Sequence, residues 1–306
     1  MVPLRLKKHD KIGIISPSDP ITKEEMKQFE KGTKYLSELG FTLIQSRNCL
    51  SCSMGYSATP KEKADDINNM FADSSIKAII CSQGGANANA CLPYVDWNII
   101  RSNPKIFMGI SDITTLLNAI FLKTGLVTFH GNDMIWGFGR EPQMYDKKEF
   151  SERLMSGKIG DLKSNGNRVN IRGGKAEGTL IGGNLKCLLK LAGTTFLPKF
   201  NNTLLFLESF GFDPVVCDSA FNQLKQMGVF DEIKGVIIGH IFDDREKQHS
   251  IHMEDILLNV SKEYSFPILK IDDFGHNCPN TVIPVGVKAS MDADNQTITL
   301  LENCVE

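Results

Sequence analysis

The chain has 306 residues, of which 42% are hydrophobic and 23% are charged, and its formal net charge is −2. This length is ample for two hydrophobic cores, and the composition is typical of a globular protein. The near balance of 34 basic and 36 acidic residues excludes a general attraction to nucleic acid or to an anionic membrane surface. We therefore expect neither nucleic acid nor a membrane as a partner.

The first residues and the cysteines both indicate a cytoplasmic protein. Basic residues near the N-terminus are followed by no apolar stretch and no small-residue cleavage site, so we expect no secretory signal. The eight cysteines have no framework spacing, and the lone C-x-x-C of Cys49 and Cys52 has no second pair to complete a zinc site. We expect reduced thiols throughout, with Cys81, Cys187 and Cys217 in the core.

The first half of the sequence alternates strand and helix signals. Two capping boxes, Thr22 with Glu25 and Thr59 with Glu62, predict helix starts, and Gly40 predicts the end of the first helix. Short apolar segments predict five strands, which cover residues 11–15, 41–44, 77–81, 105–110 and 126–129. Apolar strands that alternate with helices are typical of a parallel sheet covered on both faces.

The second half predicts a mixed arrangement. Residues 157–178 are rich in Gly, Asn, Ser and Lys and have no sustained apolar period, so we predict a linker there, between domains at 1–156 and 179–306. Further strands are predicted at 203–207, 235–239 and 267–271, and a hairpin at 285–290 and 297–301. The predicted fold class is α/β, with a parallel-sheet N-terminal domain that has helices on both faces and a smaller mixed α/β C-terminal domain.

One serine lies between a buried strand and a helix. The segment Ile106–Thr114 reads IFMGISDIT and places Ser111 two residues after Gly109, with a helix predicted over residues 112–123. This is the context of a nucleophile elbow, where the hydroxyl projects from the strand's carboxyl end beside free amides of the helix N-terminus. The second glycine of G-x-S-x-G is absent, and a serine in such a position is more often a helix cap.

A glycine pair follows the preceding strand. Residues 81–87 read CSQGGAN, and Gly84 and Gly85 would let backbone amides approach a ligand closely. The spacing matches neither G-x-G-x-x-G nor a Walker loop, and an ordinary turn between strand and helix would look the same. Because ligands of open α/β sheets bind beyond the carboxyl ends of the strands, we expect this loop and Ser111 at one edge.

Two further strand ends carry an acid and a histidine. Glu208 ends the apolar segment LLFLES, and His276 lies in DDFGHNCPN, directly after a predicted strand. Loops of this kind often position catalytic side chains, and a histidine is well suited to be a general base. Taken alone, Glu208 would be interpreted as the start of a solvated loop.

A metal site is the alternative interpretation of these residues. Two candidate ligand sets are Asp272, Asp273, His276 and Cys278, and, upstream, His249, His252 and Glu254. Neither set has the spacing of a helical H-E-x-x-H motif or of a zinc finger. We therefore expect no metal and no other cofactor.

Taken together, these segments resemble the S66 peptidase family, which comprises the LD-carboxypeptidases and the related microcin C self-immunity proteins. The matching stretches occur in the family's order and cover nearly the whole chain: IISPS, CSQGGANA, IFMGISDITTLLNAI, GLVTFHG, IGGNL, LLFLES, DDFGHNCPN and IPVG. Residues 86–89 depart from the pattern, because the family often has an aromatic residue and a further glycine there. The resemblance implies a parallel α/β domain joined to a second domain, with the active site between them.

The resemblance also implies roles for five residues. Ser111 would be the nucleophile, His276 the general base and Glu208 the carboxylate that orients it. The backbone amides of Gly85 and Asp112 would form the oxyanion hole. Activity would then proceed through an acyl-enzyme, without a metal.

The implied activity is that of LD-carboxypeptidases, which release the terminal D-alanine of the murein tetrapeptide by cleaving an L,D-peptide bond. The alternative is a microcin-immunity-like hydrolase of aminoacyl-nucleotide analogues, for which Trp136 would be a stacking platform. Gly84 and Trp136 are thus the candidate substrate-binding residues, and the short predicted linker favours the carboxypeptidase. A non-catalytic protein that binds a small ligand is the third interpretation. A homodimer is the expected assembly.

Overall fold

The computed structural model describes residues 1–52, 55–211, 213–242 and 251–306, and within these residues the core is built on two β-sheets. The strands of the first sheet are β1 (Lys11–Ile15), β2 (Thr42–Gln45), β3 (Ile76–Cys81), β4 (Ile106–Gly109), β5 (Thr128–His130) and β12 (Ile283–Val285). They lie in the order β12-β5-β4-β3-β1-β2. β1 to β5 are parallel, and β12 is antiparallel to β5.

Helices connect the parallel strands of the first sheet. They are α1 (Met26–Glu38), α2 (Pro60–Ala72), α3 (Trp97–Ser102) and α4 (Thr114–Thr124), and α5 (Met144–Phe150) follows β5. The strand order reverses after β2, so right-handed crossovers place α1 and α2 on opposite faces of the sheet. The capping box of Thr59 and Glu62 forms as predicted, with Pro60 at the first turn of α2.

The strands of the second sheet are β6 (Gly160–Asp161), β7 (Arg168–Arg172), β8 (Lys175–Asn184), β9 (Thr203–Phe210), β10 (Gly235–Phe242), β11 (Ile268–Gly275), β13 (Lys288–Asp292) and β14 (Thr297–Leu300). Their order is β6-β14-β13-β8-β9-β10-β11-β7, and the four adjoining strands β8 to β11 are parallel. The helices of this half are α6 (Leu185–Leu189), α7 (Pro214–Gln226), α8 (Val229–Glu232) and α9 (Met253–Val260). The predicted hairpin forms between β13 and β14.

The predicted α/β class with two sheets is confirmed, but two parts of the chain lie differently from the predicted domain plan. Residues 157–178, the predicted linker, contain β6, β7 and the start of β8. β7 is an edge strand with partly exposed polar side chains at Arg168, Asn170 and Arg172, which explains why its apolar period is weak. β12 lies within the predicted C-terminal domain but pairs with β5 of the first sheet.

The state of the cysteines and the character of the helices agree with the expectations from the sequence. All eight cysteines are free thiols, and Cys81, Cys187 and Cys217 are buried as predicted. In the part of the chain that the structure describes, no helix combines the length and the apolar character needed to cross a bilayer.

Candidate active site

Ser111 lies in a strained turn between β4 and α4. It begins a short 3₁₀ turn, Ser111–Ile113, that leads directly into α4. Its φ is +63°, in the left-handed region that residues other than glycine rarely adopt. Gly109 allows the end of β4 to approach this turn closely, because a Cβ at that position would lie 2.8 Å from the Ile113 side chain. A serine held in this conformation after a strand and before a helix has the geometry of a nucleophile elbow.

The glycine pair after β3 packs directly against this turn. A Cβ on Gly84 would lie 2.5 Å from Cβ of Ser111 and 3.3 Å from the backbone nitrogen of Asp112. Gly85 has a φ of +141°, and a Cβ there would lie 2.2 Å from the carboxyl carbon of Asp19. Side chains are therefore excluded from both positions, and the predicted oxyanion donors, the amides of Gly85 and Asp112, lie on two adjoining loops.

The carboxylate of Asp112 links these loops through hydrogen bonds. It is fully buried and accepts hydrogen bonds from Oγ of Ser18 at 2.6 Å and from the N–H of Ala88 at 2.7 Å. Nζ of Lys190, which follows α6, donates to the same carboxylate and to the carbonyl of Ala86. These contacts span up to 104 residues of sequence, so no local pattern could indicate Ser18 or Lys190.

Glu208 and His276 form a hydrogen-bonded pair at the ends of β9 and β11. Nδ1 of His276 lies 2.6 Å from Oε2 of Glu208, which is fully buried, while the His276 side chain is 16% exposed. Burial alone would raise the pKa of Glu208, but the charge and the hydrogen bond of His276 lower it below its usual value. Burial alone would lower the pKa of His276, and the Glu208 carboxylate outweighs this and raises it. Each member of the pair therefore stabilises the charged form of the other.

A second buried acid lies near His276. The Asp133 carboxylate accepts hydrogen bonds from the backbone N–H groups of Trp136 at 2.6 Å and Gly137 at 2.9 Å. Burial raises its pKa to about 6, and its charge also raises the pKa of His276. On the other side, the exposed ring of Phe210 lies 5.0 Å from the His276 ring.

These groups surround one cavity of about 660 Å³ between the two sheets. Five of the predicted site residues line it, namely Gly84, Gly85, Ser111, Trp136 and His276. The other two, Asp112 and Glu208, are fully buried behind its walls. A hydroxyl in a strained turn and a carboxylate-bound imidazole that line one cavity are components of acyl transfer through a serine.

His130, at the end of β5, is a further histidine close to the pair. It is fully buried, and its ring packs edge to face against Phe206 at 5.6 Å and Phe274 at 5.7 Å. Burial lowers its pKa to about 4, although the Glu208 carboxylate opposes the shift. Neither ring nitrogen has a hydrogen-bond partner among the described residues. His130 is therefore neutral at pH 7.

Among the described residues, the alternative metal ligands do not converge. Asp272 contacts His240 and Lys270, whereas Asp273 pairs with Arg168. His252 precedes α9, and Glu254 lies in its first turn, while His249 falls outside the described residues. Within the described ranges, no group of three or more potential ligand side chains is placed to hold a metal ion.

Comparison with known proteins identifies the family. Residues 12–131 match the model of the LD-carboxypeptidase N-terminal domain of peptidase family S66, and residues 177–291 match the model of its C-terminal domain. The chain belongs to peptidase family S66. The resemblance inferred from the sequence motifs is thereby confirmed.

Within the S66 family the chain has relatives with two kinds of name. It is 32% identical to the microcin C7 self-immunity protein MccF of Escherichia coli, over 96% of this chain and 93% of that protein. It is 31% identical to a probable murein peptide carboxypeptidase of Bacillus subtilis, over 97% of this chain and 93% of that protein. The structure of MccF in complex with aspartyl sulfamoyl adenosine superposes with a TM-score of 0.93 at 30% identity, over the full length of both chains.

Proposed function

We propose that this S66 peptidase is a serine carboxypeptidase that hydrolyses the L,D-peptide bond before the terminal D-alanine of a murein tetrapeptide. The main support is the 2.6 Å contact between Glu208 and His276, with Ser111 and His276 on the walls of one cavity. The relative named as a probable murein peptide carboxypeptidase agrees with this substrate class. We also propose that the enzyme is cytoplasmic and needs no metal.

The proposed reaction has two acyl-transfer steps. His276 removes the proton of the Ser111 hydroxyl as its oxygen attacks the scissile carbonyl, and Glu208 stabilises the imidazolium. The amides of Gly85 and Asp112 hold the oxyanion, a contribution of about 3 kcal/mol per donor in enzymes of known mechanism. His276 then protonates the leaving amine, the C–N bond breaks and D-alanine departs. Water, deprotonated by His276, hydrolyses the acyl-enzyme and the proton returns to Ser111.

The second candidate is the hydrolysis of an aminoacyl-nucleotide analogue. Two observations favour it: the side chain of Trp136 is 43% exposed on the wall of the cavity, and the chain superposes closely on MccF bound to aspartyl sulfamoyl adenosine. An exposed indole offers a face on which a purine can stack. The triad and the bond chemistry would be the same, so the substrate alone separates the two functions.

Mass spectrometry of two reactions tests this proposal. Murein tetrapeptide and aspartyl sulfamoyl adenosine are each incubated with the wild-type protein and with Ser111→Ala, which serves as the inactive control. We expect loss of one alanine from the tetrapeptide in the wild-type reaction only. Cleavage of the sulfamoyl adenosine alone would favour the second candidate, and cleavage by Ser111→Ala at the wild-type rate would contradict the serine mechanism.

A further inference from the structure

An arginine, Arg140, lines the cavity that holds Ser111. Its walls include three carboxylates, those of Asp19, Glu25 and Asp133. Among the described residues that line it, Arg140 is the only lysine or arginine. In the described part of the cavity wall, Arg140 is therefore a cationic group close to three carboxylates.

Arg140 is held in place by an aromatic contact and a hydrogen bond. It ends a 3₁₀ turn, Phe138–Arg140, and its guanidinium lies 4.4 Å from the centre of the Trp136 ring. Nη1 donates a hydrogen bond to Oδ1 of Asn277 at 2.8 Å. The indole is itself fixed, because Nε1 of Trp136 donates to Oε1 of Gln83 at 2.9 Å. No carboxylate of the described residues forms a salt bridge with Arg140, so most of its donors remain available to a ligand.

The position of Arg140 matches one particular part of the substrate. In the proposed reaction His276 protonates the leaving amine, so the leaving residue occupies the His276 side of the cavity. Asn277, which binds Arg140, is the next residue after His276. One residue spans at most about 3.6 Å, so the free carboxylate of a single leaving amino acid lies within a short distance of that amine.

We propose that Arg140, stacked on Trp136 and held by Asn277, binds the C-terminal carboxylate of the substrate and so restricts cleavage to the last residue. The inference rests on the proposed carboxypeptidase function and assigns the residue that makes it an exopeptidase. A guanidinium presents two parallel N–H donors that match a carboxylate, and its weak hydration suits it to a partly enclosed site. Aromatic stacking keeps the fork in one orientation, which lowers the entropy lost on binding.

Two substrates that differ only at the C-terminus test the assignment: murein tetrapeptide as the free acid and as the C-terminal carboxamide. We expect the wild-type enzyme to prefer the acid. Arg140→Gln should lower kcat/KM for the acid by roughly 10- to 100-fold, mainly through KM, and change the amide by less than about threefold. Arg140→Lys should keep part of the preference. The matched control Arg47→Gln, an exposed arginine that lines no part of the cavity, should leave both values unchanged.

The ratio of acid to amide activity is the decisive quantity, because both substrates are measured on one preparation and a partly unfolded variant lowers both equally. Equal losses on acid and amide in Arg140→Gln, or a wild-type enzyme without preference, would overturn the assignment while the carboxypeptidase function stands. A wild-type enzyme that cleaves neither peptide would refute the proposed function, and this inference with it.

Discussion

Replacement of Gly84 by alanine is the sharpest test of the packing around Ser111. The new Cβ would lie 2.5 Å from Cβ and 2.8 Å from Oγ of Ser111. The φ of Gly84 is not positive, so we expect the effect of the substitution to be steric. Ordinary contact begins at 3.4 Å, so the nucleophile has to move by roughly 1 Å, and a misplacement of that size costs about 10²-fold in rate.

The assay is kcat/KM on the cleaved substrate together with labelling of Ser111 by a fluorophosphonate. We expect Gly84→Ala to lower both rates by about 100-fold while the thermal unfolding temperature changes little. Gly166→Ala is the matched control, because its Cβ would meet nothing closer than 3.9 Å. If Gly84→Ala keeps more than half of the wild-type rates, the contact with Ser111 does not determine the position of the nucleophile.

Three further predictions concern the triad and the histidine next to it. In single-turnover kinetics, Ser111→Ala should lower kcat by roughly 10⁴- to 10⁶-fold and Glu208→Gln by about 10²- to 10⁴-fold. If Ser111→Ala keeps more than about a tenth of the wild-type activity, Ser111 is not the nucleophile. Glu208 raises the pKa of His276, and a general base must be neutral, so kcat/KM should rise with pH through a pKa above 6.5. Glu208→Gln should shift this rising part of the pH profile to lower pH, and a profile that does not shift would contradict the pairing. The pKa of His130 is about 6.5 in the unfolded chain but about 4 in the folded protein, so acid favours unfolding. Between pH 7 and pH 5, the free energy of unfolding from urea titrations should fall by about 2 kcal/mol more in the wild type than in His130→Leu. Equal losses of unfolding free energy in the two proteins would show that His130 is not buried in its neutral form.

The sequence was sufficient to locate the loops of the candidate site because each follows an apolar strand. The glycine pair follows β3 and Ser111 follows β4, and local apolar runs with glycine or helix signals mark such strand ends. Neighbouring parallel strands have their carboxyl ends at the same edge of the sheet. Once the strands were predicted, the two loops were therefore expected to lie side by side.

The features of the fold and the site that the sequence did not predict depend on contacts between distant parts of the chain. β8 contains Gly182 and Gly183, and a Cβ on Gly182 would lie 1.9 Å from the carbonyl oxygen of Phe206. Glycine is required there for close packing of strands, but from sequence alone it indicates a break. Lys190 and Arg140 are likewise ordinary surface residues by pattern, and only the fold brings them to Asp112 and to the cavity.

The return of β12 to the first sheet has a consequence for the order of assembly during synthesis. Residues 283–285 pair with β5, so a ribosome has to translate as far as residue 285 before all six strands of this sheet can pair. Until then β5 is an open edge, which can pair with other chains. His276 lies seven residues before β12, so the same late step brings the proposed general base to the proposed nucleophile, Ser111, which is made much earlier. If these roles are correct, a nascent or truncated chain of residues 1–156 holds Ser111 without its base and is inactive as a hydrolase.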